Sequence, residues 1–311
     1  MATAEPCATV RETVSFEGVG LHTGETCRVA IHPVAAANAP CAITIRKGAS
    51  VFPARWDFVV DTTRATVLGD GATRIGTVEH LMAALWITGI THCDIEVLQG
   101  DEIPILDGSA LPFVQALQAV KSTVDALTPS PSPTVWARGD APDMQQLLWS
   151  AEAQLQPHAE ASLPHSMSGL FQARHADRYL GLAFGGGVLF GYIDFPAPLG
   201  VQAGAFPLAD AAAQIAPART FGFLREVEAL RQQGLAQGGA LDNALLIDET
   251  GYHNPARFED EPLRHKLLDV LGDLYLCGAR LTGFTLVAIK PGHALNVQLA
   301  QQAAQAIFAE D

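Results

Sequence analysis

Two hydrophobic periods run along this chain, and the elements they predict recur in both halves. Residues 27–32 and 42–46 read as short strands, with the turn signals Gly18, Gly20 and Gly24 ahead of the first. Helical spacing follows over residues 78–88, stopping at Gly89, and again after Asp107-Gly108-Ser109 to about residue 120, with Thr77 and Ser109 as the expected caps. In the second half an apolar run over residues 179–193 is broken by Gly185-Gly186-Gly187, which predicts two strands paired around a glycine turn. A helix at 224–233, a strand at 244–248, a helix over 262–277, a strand at 284–289 and a last helix complete the pattern. Residues 136–178 have weak periodicity and no motif. At 128–134 the sequence Thr-Pro-Ser-Pro-Ser-Pro-Thr blocks helix and ladder hydrogen bonds and reads as an extended linker. The expected architecture is α+β, with two similar layered domains, 1–127 and 135–311, each a β-sheet with packed helices.

Composition narrows the function classes. The chain has 311 residues, 49% of them hydrophobic, so there is ample material for a packed core. It carries 33 acidic against 19 basic residues, a formal net charge of −14, and the excess is spread evenly: 14 against 8 over residues 1–127 and 19 against 11 over 128–311. The broad basic surface of a nucleic-acid binder is absent, as is a polybasic membrane patch. The start of the sequence lacks the basic and apolar runs of a signal peptide, and residues 179–193 are too short and glycine-broken to span a bilayer, so no stable membrane insertion is expected. The glycine cluster matches neither a phosphate loop nor a dinucleotide fingerprint. Five scattered cysteines form no Cys-x-x-Cys pair, which fits reduced thiols in a cytoplasmic protein.

The chemistry is concentrated in three places. On the helix over 263–277, Leu263, Leu267, Val270, Leu271 and Leu274 form a core-facing stripe. A second stripe carries His265, Asp269 and Asp273, with Gly272 on the same side, where its smallness lets a ligand or a loop approach. Residues four apart lie about 6 Å apart along the axis, so His265 and Asp269 can reach one metal ion while Asp273 orients something beside it. Glu79-His80 stands in the first turn of its helix; one can ligate while the other faces a water, and the helix N-terminus favours an ionised Glu79 suited to a general base. Gly292-His293 follows the last strand on a loop that can be aimed into a cleft. Taken singly, each has a plainer explanation: a wetted helix face, a capping Glu, a turn histidine bonded to local backbone.

Eight collinear segments carry a resemblance. They are Gly18-Val19-Gly20-Leu21-His22-Thr23-Gly24, Asp61-Thr62-Thr63-Arg64-Ala65-Thr66, Thr77-Val78-Glu79-His80-Leu81-Met82-Ala83-Ala84-Leu85, and Glu102-Ile103-Pro104-Ile105-Leu106-Asp107-Gly108-Ser109 in the first half. The second half adds Ile193-Asp194-Phe195-Pro196, Arg219-Thr220-Phe221-Gly222-Phe223, Arg264-His265-Lys266-Leu267-Leu268-Asp269, and Gly292-His293-Ala294-Leu295-Asn296. Together they resemble the UDP-3-O-acyl-N-acetylglucosamine deacetylases, the zinc amidases of lipid A synthesis in Gram-negative bacteria. The resemblance implies an active site in the cleft between the domains and zinc held by His80, His265 and Asp269. It further implies Glu79 as general base, His293 as cationic general acid, Asp273 orienting it, and Thr220 helping to hold the oxyanion. Phe221 would stand where the acyl passage begins, with Lys266 and Lys290 near the sugar and diphosphate. His22 lies in a family motif without a role assigned to it.

Two histidines and one aspartate leave a fourth zinc position open, as hydrolysis requires. The expected reaction is loss of acetate from the acylated UDP-sugar, by a monomer with a small-molecule substrate. Two departures stand out: residues 136–178 have little family likeness, and Val297 replaces a second Asn common in the family. A paralogous zinc deacetylase of another N-acyl sugar, or a catalytically silent UDP-sugar-binding protein, stays open beside the main reading.

Overall fold

In the first half, Val29 and Ile31, Ile43 and Ile45, and Cys93, Ile95 and Val97 are buried, with Ala30, Thr44, Asp94 and Glu96 between them, so three strands share one apolar face. The computed structural model describes residues 7–34, 42–123, 135–137 and 170–308. Its first half begins with β1 (Ala8–Val10), β2 (Val14–Val19), β3 (Thr26–His32), β4 (Ala42–Lys47) and β5 (Ser50–Pro53). A small antiparallel sheet follows, β6 (Val59–Asp61), β7 (Val67–Gly69) and β8 (Arg74–Ile75), and then helix α1 (Glu79–Thr88). After α1 come β9 (His92–Gln99), α2 (Leu111–Val120), β10 (Lys121–Thr123), which pairs with β1, and β11 (Val135–Ala137). The main sheet is ordered β11-β2-β3-β9-β4-β5, with β4 parallel to β9 and β11 parallel to β2. One face of this sheet packs on the helices, Phe113 of α2 meeting Phe16 of β2 edge-on at 4.8 Å. Its other face carries a polar ladder in which Arg46 pairs with Asp94 and Glu96, and His32 with Glu96.

The second half continues with β12 (Leu170–His175), β13 (Arg178–Phe184), β14 (Val188–Asp194), β15 (Val201–Pro207) and the short α3 (Ala211–Gln214). Next are β16 (Phe221–Phe223), α4 (Leu224–Gln232), β17 (Leu245–Ile247), α5 (Glu261–Tyr275), β18 (Phe284–Ile289) and α6 (His293–Ile307). Its five-stranded sheet is ordered β12-β13-β18-β14-β15. The two strands predicted around Gly185-Gly186-Gly187 exist but are not partners: β18 inserts between them, antiparallel to β13 and parallel to β14. Periodicity marks strands and says nothing of which distant strand intervenes. Among the described residues no sheet closes into a barrel, and the α+β reading holds. The linker expected at 128–134, and residues 138–169 of the divergent stretch, lie outside the described residues.

Helices from the two halves meet in one continuous core. Gly191 on β14 admits α5, since a Cβ there would lie 2.7 Å from Leu263. Helix α1 is buried almost all round because it lies between α2 and α5. At its crossing with α5 the backbones touch: a Cβ on Gly272 would sit 2.0 Å from the Glu79 carbonyl oxygen. The small residue admits neither ligand nor loop, as the sequence led us to expect, but the first helix itself. The turn at Gly108, with φ of 88°, packs on Asn243, and Asp107 there pairs with Arg257 at 2.9 Å.

Gly272→Ala tests this crossing. Overpacking against main chain is expected to cost about 3 kcal/mol, read as a lower urea midpoint at unchanged slope. An unaltered midpoint would mean the helices can separate without loss.

Candidate metal centre and active site

Thr77 precedes α1 with a left-handed φ of 57°, a strained conformation for a β-branched residue. It does not cap the helix: the N-cap is Val78, without a side-chain bond, and Thr77 Oγ1 donates to Glu102 Oε1 at 2.8 Å. Buried Glu102 also accepts from the backbone N–H groups of His22 and Thr23 and from the Thr23 hydroxyl. A buried carboxylate needs such donors, and that demand outweighs the local capping preference. Ser109 lies one residue ahead of the Ala110 N-cap of α2, yet its hydroxyl still accepts the Leu111 N–H at 3.2 Å.

Helix α5 presents His265 and Asp269 one turn apart, and the start of α1 brings His80 against them. Asp269 Oδ1 lies 3.4 Å from His265 Nε2 and 3.8 Å from His80 Nε2. All three residues are buried, and their potential ligand atoms lie within 4.8 Å of one another. His265 Nδ1 stands 3.1 Å from the Ala218 carbonyl, which only accepts, so that nitrogen carries the proton and Nε2 offers a lone pair. Burial pushes the His80 pKa down to about 3 and lowers that of His265, leaving two neutral imidazoles. Burial opposes the charge on Asp269, yet the Lys266 ammonium holds its carboxyl well below the usual range. Its Oδ2 accepts from Lys266 Nζ at 2.8 Å, whereas buried Oδ1 has no hydrogen-bond partner among the described residues. A tetrahedral ion with bonds of about 2.0–2.1 Å needs ligand atoms roughly 3.4 Å apart and no donor between them. These three residues fit that requirement.

Beside them Glu79 Oε1 faces His293 Nε2 at 4.0 Å. His293 is the first residue of α6, so the predicted strand-end loop is in fact a helix start, its N-cap Gly292 extended. Its Nδ1 donates to Asp273 Oδ2 at 3.0 Å, which fixes the ring. Asp273 is fully buried and accepts twice more: from Thr66 Oγ1 at 2.5 Å and from Asn296 Nδ2 at 2.9 Å. Burial disfavours the His293 cation, but Asp273 and Glu79 outweigh it and raise the pKa to about 9. Burial pushes Glu79 up to about 8, opposed by His293 and reinforced by Asp273 and Asp269. A divalent cation beside Glu79 would act in the opposite direction and favour its ionised form.

The remaining expected residues surround this centre less closely. Thr220 is held by its N–H on the Gly108 carbonyl at 2.7 Å, and Arg219 before it forms a buried pair with Glu261 at 2.9 Å. Phe221 stands edge-on to His265 with ring centroids 6.1 Å apart, and Lys266 Nζ lies 5.6 Å from the Phe221 centroid. The Lys290 ammonium is committed to Asp177 and Asp194, which raise its pKa to about 12. His22 keeps both ring nitrogens buried without a partner among the described residues, and burial lowers its pKa. It borders a cavity of about 1000 Å³ lined also by Arg64, Ala65, Thr77 and Glu102. Three residues escaped the sequence reading: Thr66, Glu102 and Asn296. Each stands inside a quoted motif, the only available signal, because the partners lie 207, 80 and 23 residues away.

A family model described as LpxC, UDP-3-O-acyl N-acetylglycosamine deacetylase, matches residues 7–130 and 189–305. The chain belongs to this family. Residues 136–178 fall within the unmatched interval of this UDP-3-O-acyl N-acetylglycosamine deacetylase family member. Similar proteins carry the name UDP-3-O-acyl-N-acetylglucosamine deacetylase. That of Myxococcus xanthus is 37% identical over 94% of this chain and 85% of its own length. That of Thermosynechococcus vestitus is 37% identical over 96% and 93%, and that of Aquifex aeolicus 34% over 96% and 92%.

A ligand that binds only the folded state at a thousand times its Kd adds about 4 kcal/mol of stability. Chelator-treated protein is therefore expected to melt at a lower temperature and to recover on addition of Zn2+. His80→Ala should bind less metal by elemental analysis and lose most of that recovery; full metal content in the variant would remove His80 from the ligand set.

Proposed function

We propose that this deacetylase-family chain is a zinc-dependent amidohydrolase. It removes the acetyl group of UDP-3-O-acyl-N-acetylglucosamine to give UDP-3-O-acyl-glucosamine and acetate, the committed step of lipid A biosynthesis. The observation that carries this reading is the unanswered Asp269 oxygen between two neutral histidines, beside the facing Glu79 and His293. His80, His265 and Asp269 would hold the ion. Zinc bound there supplies Lewis-acid activation of water and of the amide carbonyl.

The chain's own residues divide the remaining work. Glu79, ionised once a cation neutralises its surroundings, accepts the proton of the attacking water as the water oxygen adds to the acetamide carbon. Protonated His293 faces the same space at 4.0 Å from Glu79 and offers its Nε2–H to the oxygen that gains charge, with the Thr220 hydroxyl as a second donor. Asp273 keeps His293 cationic and aimed. The C–N bond breaks as Glu79 or His293 returns a proton to the departing amine. Phe221 offers the acyl chain an aromatic wall, Lys266 favours the anionic part of the substrate, and Lys290 would do so by exchanging Asp177 or Asp194 for it. On the same reading the protein works as a cytoplasmic monomer of two domains, 1–127 and 135–311, joined at 128–134. Among the described residues no helix is long and apolar enough to cross a membrane. Light scattering checks the monomer against the chain mass of 32.9 kDa.

Acetate release from UDP-3-O-acyl-N-acetylglucosamine, abolished by chelator, is the direct test. Glu79→Gln is expected to lower kcat by about 10²- to 10⁴-fold with metal content kept. Near-normal kcat would dismiss Glu79 as the base. Bound metal without turnover of this substrate would point to another N-acyl sugar, and UDP-sugar binding without any hydrolysis to a silent binder.

A further inference from the structure

We propose that Thr66 is a positioning residue that joins the base and acid sides of the site. This rests on the catalytic reading above. Thr66 is fully buried and immediately precedes β7, whose pairing with β6 and β8 fixes its backbone. Its main chain grips the start of α1 twice: the N–H donates to Glu79 Oε2 at 3.1 Å, and the carbonyl accepts from the Val78 N–H at 3.3 Å. Its side chain turns the other way, Oγ1 donating to Asp273 Oδ1 at 2.5 Å and lying 3.3 Å from His293 Nδ1.

The two oxygens of Asp273 are not equally served. Oδ2 accepts from both His293 and Asn296, whereas Oδ1 accepts from the Thr66 hydroxyl alone among the side chains of the described residues. Without the hydroxyl, a buried carboxylate oxygen is left unanswered and the carboxylate can turn about its Cβ–Cγ bond. The histidine that hangs on Oδ2 turns with it. Because the same residue holds Glu79, the spacing between base and acid is set by one backbone position. A small tilt of His293 then weakens alignment in the transition state more than substrate binding in the ground state.

Three variants separate positioning from packing: Thr66→Val replaces the hydroxyl by a methyl of similar size, Thr66→Ser keeps the hydroxyl and removes the methyl, and Thr66→Ala removes both. With zinc-loaded protein and UDP-3-O-acyl-N-acetylglucosamine, Thr66→Val is expected to lower kcat about 10- to 100-fold with KM changed less than about two-fold. Thr66→Ser should stay within about three-fold of the parent kcat, and metal content should be equal in all, since Thr66 touches no metal ligand. A parental kcat in Thr66→Val, or equal losses in Val and Ser, overturns the proposal. If Thr66→Val does not fold, the Ala and Ser pair carries the same comparison. Should the parent protein itself fail to turn over this substrate, the catalytic reading falls separately. The low-field proton resonance of His293 Nδ1–H then decides: displacement or loss in Thr66→Val with retention in Thr66→Ser supports the coupling, and an unchanged resonance in Thr66→Val overturns it.

Discussion

Two helices from opposite halves of the chain touch backbone to backbone where Gly272 lies against the Glu79 carbonyl, and the reactive groups are placed by that contact. Glu79 and His80 begin one helix, while Asp269 and Asp273 stand three residues before and one after the glycine on the other. Any side chain at 272 would hold the helices apart and draw His80 away from Asp269. A mid-helix glycine costs about 1 kcal/mol in intrinsic propensity, a small loss beside burial of nearly the whole surface of α1. That burial also explains why α1 manages without a side-chain cap: tertiary packing, not its terminus, fixes where it starts.

Close contact at this crossing forces an electrostatic imbalance into the core. Three buried carboxyl groups, Glu79, Asp269 and Asp273, stand beside two cations, partly buried Lys266 and protonated His293. Asp269 and Asp273 each have a direct cationic partner at 2.8 or 3.0 Å; Glu79 has His293 only at 4.0 Å. The unmatched charge therefore falls on Glu79, which is why burial raises its pKa so far. On the proposed reading, a divalent ion held by His80, His265 and Asp269 would reverse the imbalance and leave Glu79 ionised next to a cation, the state a base requires. Metal binding and base activation would then be one electrostatic event. Buried charge of this kind is poor at stabilising a fold and is understandable as the cost of a working site.

Much of this was legible in the sequence where the rule is local. The i, i+4, i+8 stripe of His265, Asp269 and Asp273 follows from helix geometry alone, and α5 presents it as expected. Local rules failed where a distant group competed. Thr77 has the right type for a cap but answers Glu102, and His293 looked like a loop residue because nothing nearby announces that α6 begins there. Strand order was equally hidden: β18 separates β13 from β14, a choice made by long-range packing. Thr66 was invisible for the same reason, since a threonine before a strand is unremarkable until an aspartate 207 residues away reaches it.

Net charge is the weakest guide to this molecule's ligand. A value of −14 excludes broad polyanion binding, yet the site must accept a charged nucleotide sugar on the proposed reading. Lys266 reconciles the two. An ammonium has three donors, and only one is taken by Asp269, so the same group can hold a metal ligand ionised and still offer hydrogen bonds outward past the Phe221 ring. Arginine would serve less well there, because its rigid fork would tend to engage both oxygens of Asp269, and Oδ1 must stay open. The surface charge keeps the protein apart from polyanions; one flexible cation at a buried carboxylate leaves the site open to a small one.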